Sequence, residues 1–305
     1  MRIFRNRGDI YFSKTNKERS AEQRFLIIAL VLIVLFTIVF MAVIAVKSNF
    51  SAKEFFKPDN VEITQQYTEE EVELPEVSGK KNYAVMVTNE DNLLFVSLIQ
   101  VDLDNISYKC ATLSADTVSD GNSLSQIYKR SGGENVKNAV ETLLNTYFDY
   151  YIDMSTKAFA DMYDEMGSVN YPVLNDIRYK NNSAKVPYSV KIKAGEQKIN
   201  GDTFVSLTRY YIENSQYASA NDLMLNSLLQ HMNSTNFEKS ESLFSKLVTS
   251  ATTNISVRDF SMADDALTVL TDDRSGVIVY SAEVEYKNNE FTKESLKSIK
   301  GYFAK

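Results

Sequence analysis

Apolar positions along this chain change their period several times, and each change marks an element. The longest run, "FLIIALVLIVLFTIVFMAVIAV" from Phe25 to Val46, contains no charged residue. As a helix rising ~1.5 Å per residue it reaches ~33 Å, the depth of a bilayer's hydrocarbon core, so it predicts one transmembrane helix. A cleaved signal peptide has a shorter apolar core and a small-residue cleavage site, and no such site follows here. Residues 47–80 read as a juxtamembrane stalk, acidic and Pro-containing in "QQYTEEEVELPEVSGKK".

Beyond the stalk the pattern turns strand-like. "YAVMVTN" (83–89), "LLFVSLIQVD" (93–102) and "ISYKCATLS" (106–114) are β-rich runs divided by Asn/Asp turns. Their nearly continuous apolar content suits strands covered on both faces. In "SGGENVKNAVETLLNTYF", Val136, Ala139, Val140, Leu143, Leu144 and Tyr147 fall at helical spacing, which predicts an amphipathic helix beginning just after Gly132–Gly133. A strand is expected at 150–154, a helix at 156–167 and an extended run at 169–174. Helices are expected at 201–211, 221–232 and 240–250, a late strand at 276–286 and a closing helix at 292–303. Strands alternating with helices predict an α/β fold, a layered α-β-α domain with a central mixed sheet over residues 81–305.

Charge adds an orientation. Residues 1–24 hold seven basic side chains (Arg2, Arg5, Arg7, Lys14, Lys17, Arg19, Arg24) against Asp9, Glu18 and Glu22, so the rest of the chain carries −11 of a total that stands at −7. A basic tail before a membrane span keeps the N-terminus in the cytoplasm and sends the large domain outward, across the plasma membrane. An acidic body lacks the positive surface that nucleic-acid binding requires. Cys110, the single cysteine, excludes an intramolecular disulfide, and its place in an apolar run marks it as a core thiol.

Candidate chemistry is sparse. The sequence has no Gly-rich phosphate loop and no Cys/His metal set, and its single histidine, His231, sits in a Leu-rich helix as a structural imidazole. What remains is Asp116 at the end of one strand, Asp91 just before another, and Arg209 within "GDTFVSLTRYY". In α/β sheets ligands gather beyond the carboxyl ends of strands, where carboxylates hold Mg²⁺ together with substrate phosphates. Capping of a turn by Asp116 and a surface ion pair for Arg209 are the plainer alternatives.

The order of these features resembles the LytR–CpsA–Psr family of bacterial cell-envelope proteins across residues 82–257. The family's Pro-Arg-Asp-Thr strand end appears as Ser114–Ala115–Asp116–Thr117. Its "GGV" element appears as Gly167–Ser168–Val169, and its Gly-x-x-Ala-Leu-x-Tyr-x-Arg-x-Arg helix as Gly201 through Arg209 and Tyr211. The resemblance implies an extracytoplasmic phosphotransferase. Such enzymes move a glycopolymer from a polyprenyl-diphosphate carrier to peptidoglycan or another envelope acceptor, with Mg²⁺ as cofactor. It assigns catalysis to Asp116 and Arg209, metal binding to Asp116 with Asp91 as the candidate second ligand, and substrate binding to Arg209; Lys129 and Arg130 are substrate-binding candidates from outside the family motifs, cations that would replace missing arginines. Arg178 is a further candidate cation. It also exposes departures: Ala115 and Tyr211 stand where the family has arginines, and Ala220–Asn221 where it has Arg-Gln. The implied site is therefore degenerate, and a lipid-binding or scaffolding role at the envelope is the alternative.

Overall fold

A computed structural model of the chain describes residues 73–304. The expected cytoplasmic tail, the apolar span and most of the stalk lie outside the described residues. Among the described residues no helix is long and apolar enough to cross a membrane.

Strands β1 (Lys80–Asn89) and β2 (Asn92–Asp102) form a hairpin, and β3 (Ser107–Ser114) continues the meander antiparallel to β2. The Glu90–Asp91 link is tight, with Glu90 in the left-handed region at φ 52°. Two short strands, β4 (Val118–Ser119) and β5 (Asn122–Ser123), lead into helix α1 (Leu124–Leu144). Next come β6 (Tyr150–Ser155), parallel to β1, and helix α2 (Thr156–Met166). With β11 (Ala251–Thr253) and β12 (Ile278–Ser281) at its edges, the sheet runs β11-β6-β1-β2-β3-β12. It is mixed: β1–β6 and β3–β12 are parallel and the other pairs antiparallel.

Both faces of this sheet are covered, which explains why the central strands read as unbroken apolar runs. On one face lies α1. The closing helix α9 (Lys293–Phe303) joins it and reaches the sheet where Asn82 Nδ2 donates to Phe303 O at 3.2 Å. The other face carries α2, α3 (Gly201–Glu213) and α4 (Tyr217–His231). Two antiparallel strand pairs flank the second layer: β7 (Val169–Val173) with β10 (Gly195–Ile199), and, inserted between them in the chain, the hairpin of β8 (Ile177–Asn181) with β9 (Tyr188–Ile192). Helices α5 (Ser234–Phe237), α6 (Ser240–Ser250), α7 (Val257–Ser261) and α8 (Asp264–Thr271) follow. A final hairpin joins β13 (Tyr286–Lys287) to β14 (Glu290–Phe291).

Three expectations need correction. Helix α1 starts at Leu124, well before the glycine pair, because Ser123 and Gln126 close a reciprocal capping box there. Gly132, at φ 75° and ψ −176°, kinks the helix without ending it. Its neighbour Gly133 is required for contact, since a Cβ there would fall 2.8 Å from Asp153 Oδ2 on β6. The late strand is only Ile278–Ser281 long. Asn221 on α4 takes over beyond it, accepting from Thr112 N at 2.6 Å and donating to Ala282 O at 3.0 Å, so β12 ends where a side chain replaces its ladder. The hairpin at 177–192 had no counterpart in the apolar pattern, because β8 and β9 alternate weakly and lie half in solvent.

Candidate functional site

The ends of β1 and β3 and the start of α1 meet beside α3 around a cavity of ≈ 400 Å³. Asp91, in the β1–β2 link, and Asp116, in the turn after β3, both line it, as do Lys129 on α1 and Arg209 on α3. Four residues singled out from four separate elements therefore line one cavity. Arg130 and Arg178 are exposed and line neither described cavity. Two further charged groups do line it and had not been anticipated: Lys185, at the tip of the β8–β9 hairpin, and Glu213, in the last turn of α3. The signal for Lys185 was a cation inside the polar "NNSAKVP" loop, which has meaning only once the hairpin folds over α3.

Helix α3 is aimed by its first residues. Asn200 caps it by accepting from Thr203 N at 2.9 Å. Gly201 lets the helix touch α2, because a Cβ there would lie 2.3 Å from the Cα of Ala160. Two turns later Arg209 is only 8% exposed. Its guanidinium lies 3.8 Å from the centre of the Tyr188 ring, and Nη2 donates to Val186 O at 2.6 Å. Burial pulls its pKa below the usual arginine value, opposed by Tyr188 and Glu213, yet a guanidinium remains charged at any physiological pH. Glu213 holds the same hairpin, accepting from Tyr179 Oη at 3.0 Å and Asn181 Nδ2 at 2.9 Å.

The departures from the family pattern have definite places. Ala115 presents a methyl group to the cavity wall. Tyr211 is buried in the core and does not reach the cavity. Ala220 is fully buried beside Asn221, which binds the sheet as described. Among the described residues, the charged groups around the cavity are thus Lys129, Lys185 and Arg209 against Asp91, Asp116 and Glu213. Their charges cancel.

For a metal, the donor set is two exposed carboxylates, Asp91 and Asp116. Among the described residues no cluster of three or more His, Cys, Asp or Glu side chains is placed to hold an ion alone. Two hard oxygen donors nonetheless fit Mg²⁺, which keeps waters and completes its shell with substrate phosphates. Cys110 is fully buried and its thiol is pushed up to about 12 by burial, so it is no nucleophile. His231 Nε2 donates to Gly167 O at 2.7 Å and its ring meets Tyr163 edge-on, a structural role.

A second cavity of ≈ 600 Å³ opens toward the opposite end of the strands, between the sheet and helices α2, α4, α6, α7 and α8. Met162, Leu243, Phe244, Phe260 and Leu267 make its wall apolar, and Lys81 lies at the sheet end. No residue lines both cavities.

Comparison with known proteins gives three findings. The LytR_cpsA_psr family matches residues 99–300. An uncharacterized protein of Staphylococcus aureus is 35% identical over 71 residues, 23% of this chain and only 17% of that relative's length. Among solved structures, a transcription-regulator candidate from Eubacterium siraeum superposes with a TM-score of 0.62 at 16% identity, covering 80% of this chain and 98% of that one. TagV of Bacillus subtilis gives 0.56 at 18% identity, covering 74% and 96%. TagT bound to LI-WTA gives 0.51 at 14%, covering 75% and 91%. At such identities the structural likeness is one of fold.

Proposed function

Because the chain belongs to the LytR–CpsA–Psr family, we propose that it is a membrane-anchored envelope protein whose outer domain holds a polyprenyl-diphosphate-linked glycopolymer more readily than it transfers it. Phe25–Val46 is the anchor, the basic tail lies in the cytoplasm, and the domain faces the cell wall. The carrying observation is the convergence of Asp91, Asp116, Lys129, Lys185 and Arg209 on one cavity. The neighbour TagT, bound to a lipid-linked wall teichoic acid, supports this ligand class.

In the transfer such a site would perform, a hydroxyl of peptidoglycan or another acceptor attacks the phosphorus bearing the glycan. The bond to the bridging oxygen breaks, polyprenyl phosphate leaves with that electron pair, and the proton of the attacking hydroxyl passes to solvent. Catalysis of such a step rests on positioning and charge neutralisation. Arg209 and the two lysines provide cations, but the three acids cancel them. Mg²⁺ held by Asp91 and Asp116 would supply the missing positive charge for a diphosphate.

Magnitudes favour holding over transfer. A hydrogen bond to a charged group contributes roughly 1.5–3 kcal/mol, and arginine's fork suits phosphate better than lysine's point charge. Loss of the partners replaced by Ala115, Tyr211 and Ala220–Asn221 removes on the order of 5 kcal/mol, equivalent to more than a thousandfold in rate if it all came from the transition state. A titration of the full-length chain with polyprenyl diphosphate tests this reading. Binding is expected to need Mg²⁺ and to weaken at least tenfold in Arg209→Ala, about what one charged hydrogen bond is worth. Absence of binding would sink the proposal, and rapid release of polyprenyl phosphate that disappears in Asp116→Ala would make the protein a working transferase.

A further inference from the structure

The turn that carries Asp116 is held from two sides. From α1, Leu124 N donates to Thr117 O at 2.9 Å and Ser125 N to Ala115 O at 2.8 Å. From the far end of the chain comes the β13–β14 hairpin. Its two linking residues, Asn288 and Asn289, both have positive φ (55° and 64°), the backbone of a type I′ turn. This turn offers the Asn289 carbonyl to Val118 N at 3.0 Å. The first strand of the hairpin supplies Tyr286, whose hydroxyl lies 2.7 Å from Thr117 Oγ1 and accepts from Ser114 N at 3.3 Å. Thr117 Oγ1 in turn donates to Ser114 O at 2.7 Å, so the Tyr286 hydroxyl gives its own proton to Thr117. The tyrosine ring is fixed between Tyr217, 4.9 Å away, and Phe291, 4.8 Å away.

Resting on the reading of Asp116 as a Mg²⁺ ligand, we propose that Tyr286 is a positioning residue. Its hydroxyl, clamped to Ser114 and Thr117, sets the turn that aims the Asp116 carboxylate into the charged cavity. Asp116 is exposed and lines the cavity, and no hydrogen bond to its side chain is seen among the described residues, so the backbone turn beneath it is what places the carboxylate at the cavity. The carboxylate and the clamp are one residue apart at Thr117. The C-terminal segment thereby gains a role in the site beyond completing the fold.

The test uses the full-length chain and reads the Mg²⁺ concentration that half-saturates polyprenyl-diphosphate binding. Tyr286→Phe keeps the ring between Tyr217 and Phe291 and removes only the hydroxyl. Half-saturation is expected to rise about threefold to tenfold, the worth of one neutral hydrogen bond. Thr117→Val removes the partner from the other side. It should produce a similar shift, and the double variant should be no worse than either single one. A purely structural role would lower the melting temperature and leave the Mg²⁺ dependence alone, overturning the inference. Asp116→Ala, run in parallel, separates the two levels. If it abolishes the Mg²⁺ dependence while Tyr286→Phe leaves it unmoved, the inference fails and the metal reading stands. If Asp116→Ala itself has no effect, both fall.

Discussion

Asp102 is the most fully enclosed charge in the described domain, with a side chain entirely out of solvent at the end of β2. Lys109 Nζ lies 3.2 Å from it and Lys80 Nζ 3.5 Å, and Asn105 donates through both its backbone N and its Nδ2. Burial pushes its pKa up, but the hydrogen bonds from Asn105 and Lys109 and the charges of both lysines outweigh that and hold it below the usual carboxylate value. A depressed carboxylate stabilises the fold fully above the unfolded value of about 3.9, and the gain is lost as pH falls below it. Urea unfolding should therefore show wild-type stability dropping below that pH, with a flatter profile in Asp102→Asn. Asp102→Ala should cost about 3 kcal/mol at neutral pH, since two lysines that retain some access to water would lose their partner. Some individual residues announced themselves in the sequence and others did not. Asp116 and Arg209 were legible because a strand end and a helix motif framed them. Lys185 was not, because its meaning depends on a hairpin fold 24 residues before Arg209.

Helix α1 shows what periodicity sees at the level of an element. Its second half was plain from Val136 onward, while the first half hid behind a glycine pair that resembles a helix start. Those glycines instead bring the helix down onto β6. Asp153 lies under them, near Tyr128 Oη at 3.3 Å and Thr88 Oγ1 at 3.5 Å, its pKa raised by burial against those hydroxyls. Gly133→Ala should destabilise the domain by about 1–3 kcal/mol through forced displacement of Asp153. That penalty should shrink in an Asp153→Ala background, whose carboxylate no longer occupies the space. Thermal unfolding of the four proteins in this cycle gives the answer, and equal penalties in both backgrounds would refute the contact as cause.

For the molecule as a whole, the alternation of strands and helices was enough to give a layered α/β domain, and the sheet is mixed as expected. What could not be read was which distant segments close it. Helix α9 buries Ile299 and Phe303 completely, and the Phe303 ring lies 5.7 Å from that of Phe148. Its carbonyl also receives Asn82 from the first strand, so the two ends of the domain are stitched together. Burial of each such side chain is worth about 1.5–3 kcal/mol. A chain ended after Phe291 should therefore lose cooperative thermal unfolding followed by circular dichroism. Retention of a sharp transition would show α9 to be dispensable.

A cavity whose fixed charges sum to nothing has a thermodynamic corollary. Neither an anion nor a cation gains much by entering alone, so each is the other's best recruiter. Reciprocity then demands that whatever factor magnesium adds to the affinity for a diphosphate, the diphosphate adds to the affinity for magnesium. Occupancy would then behave as a coincidence detector, rising only where divalent cation and anionic lipid are abundant together.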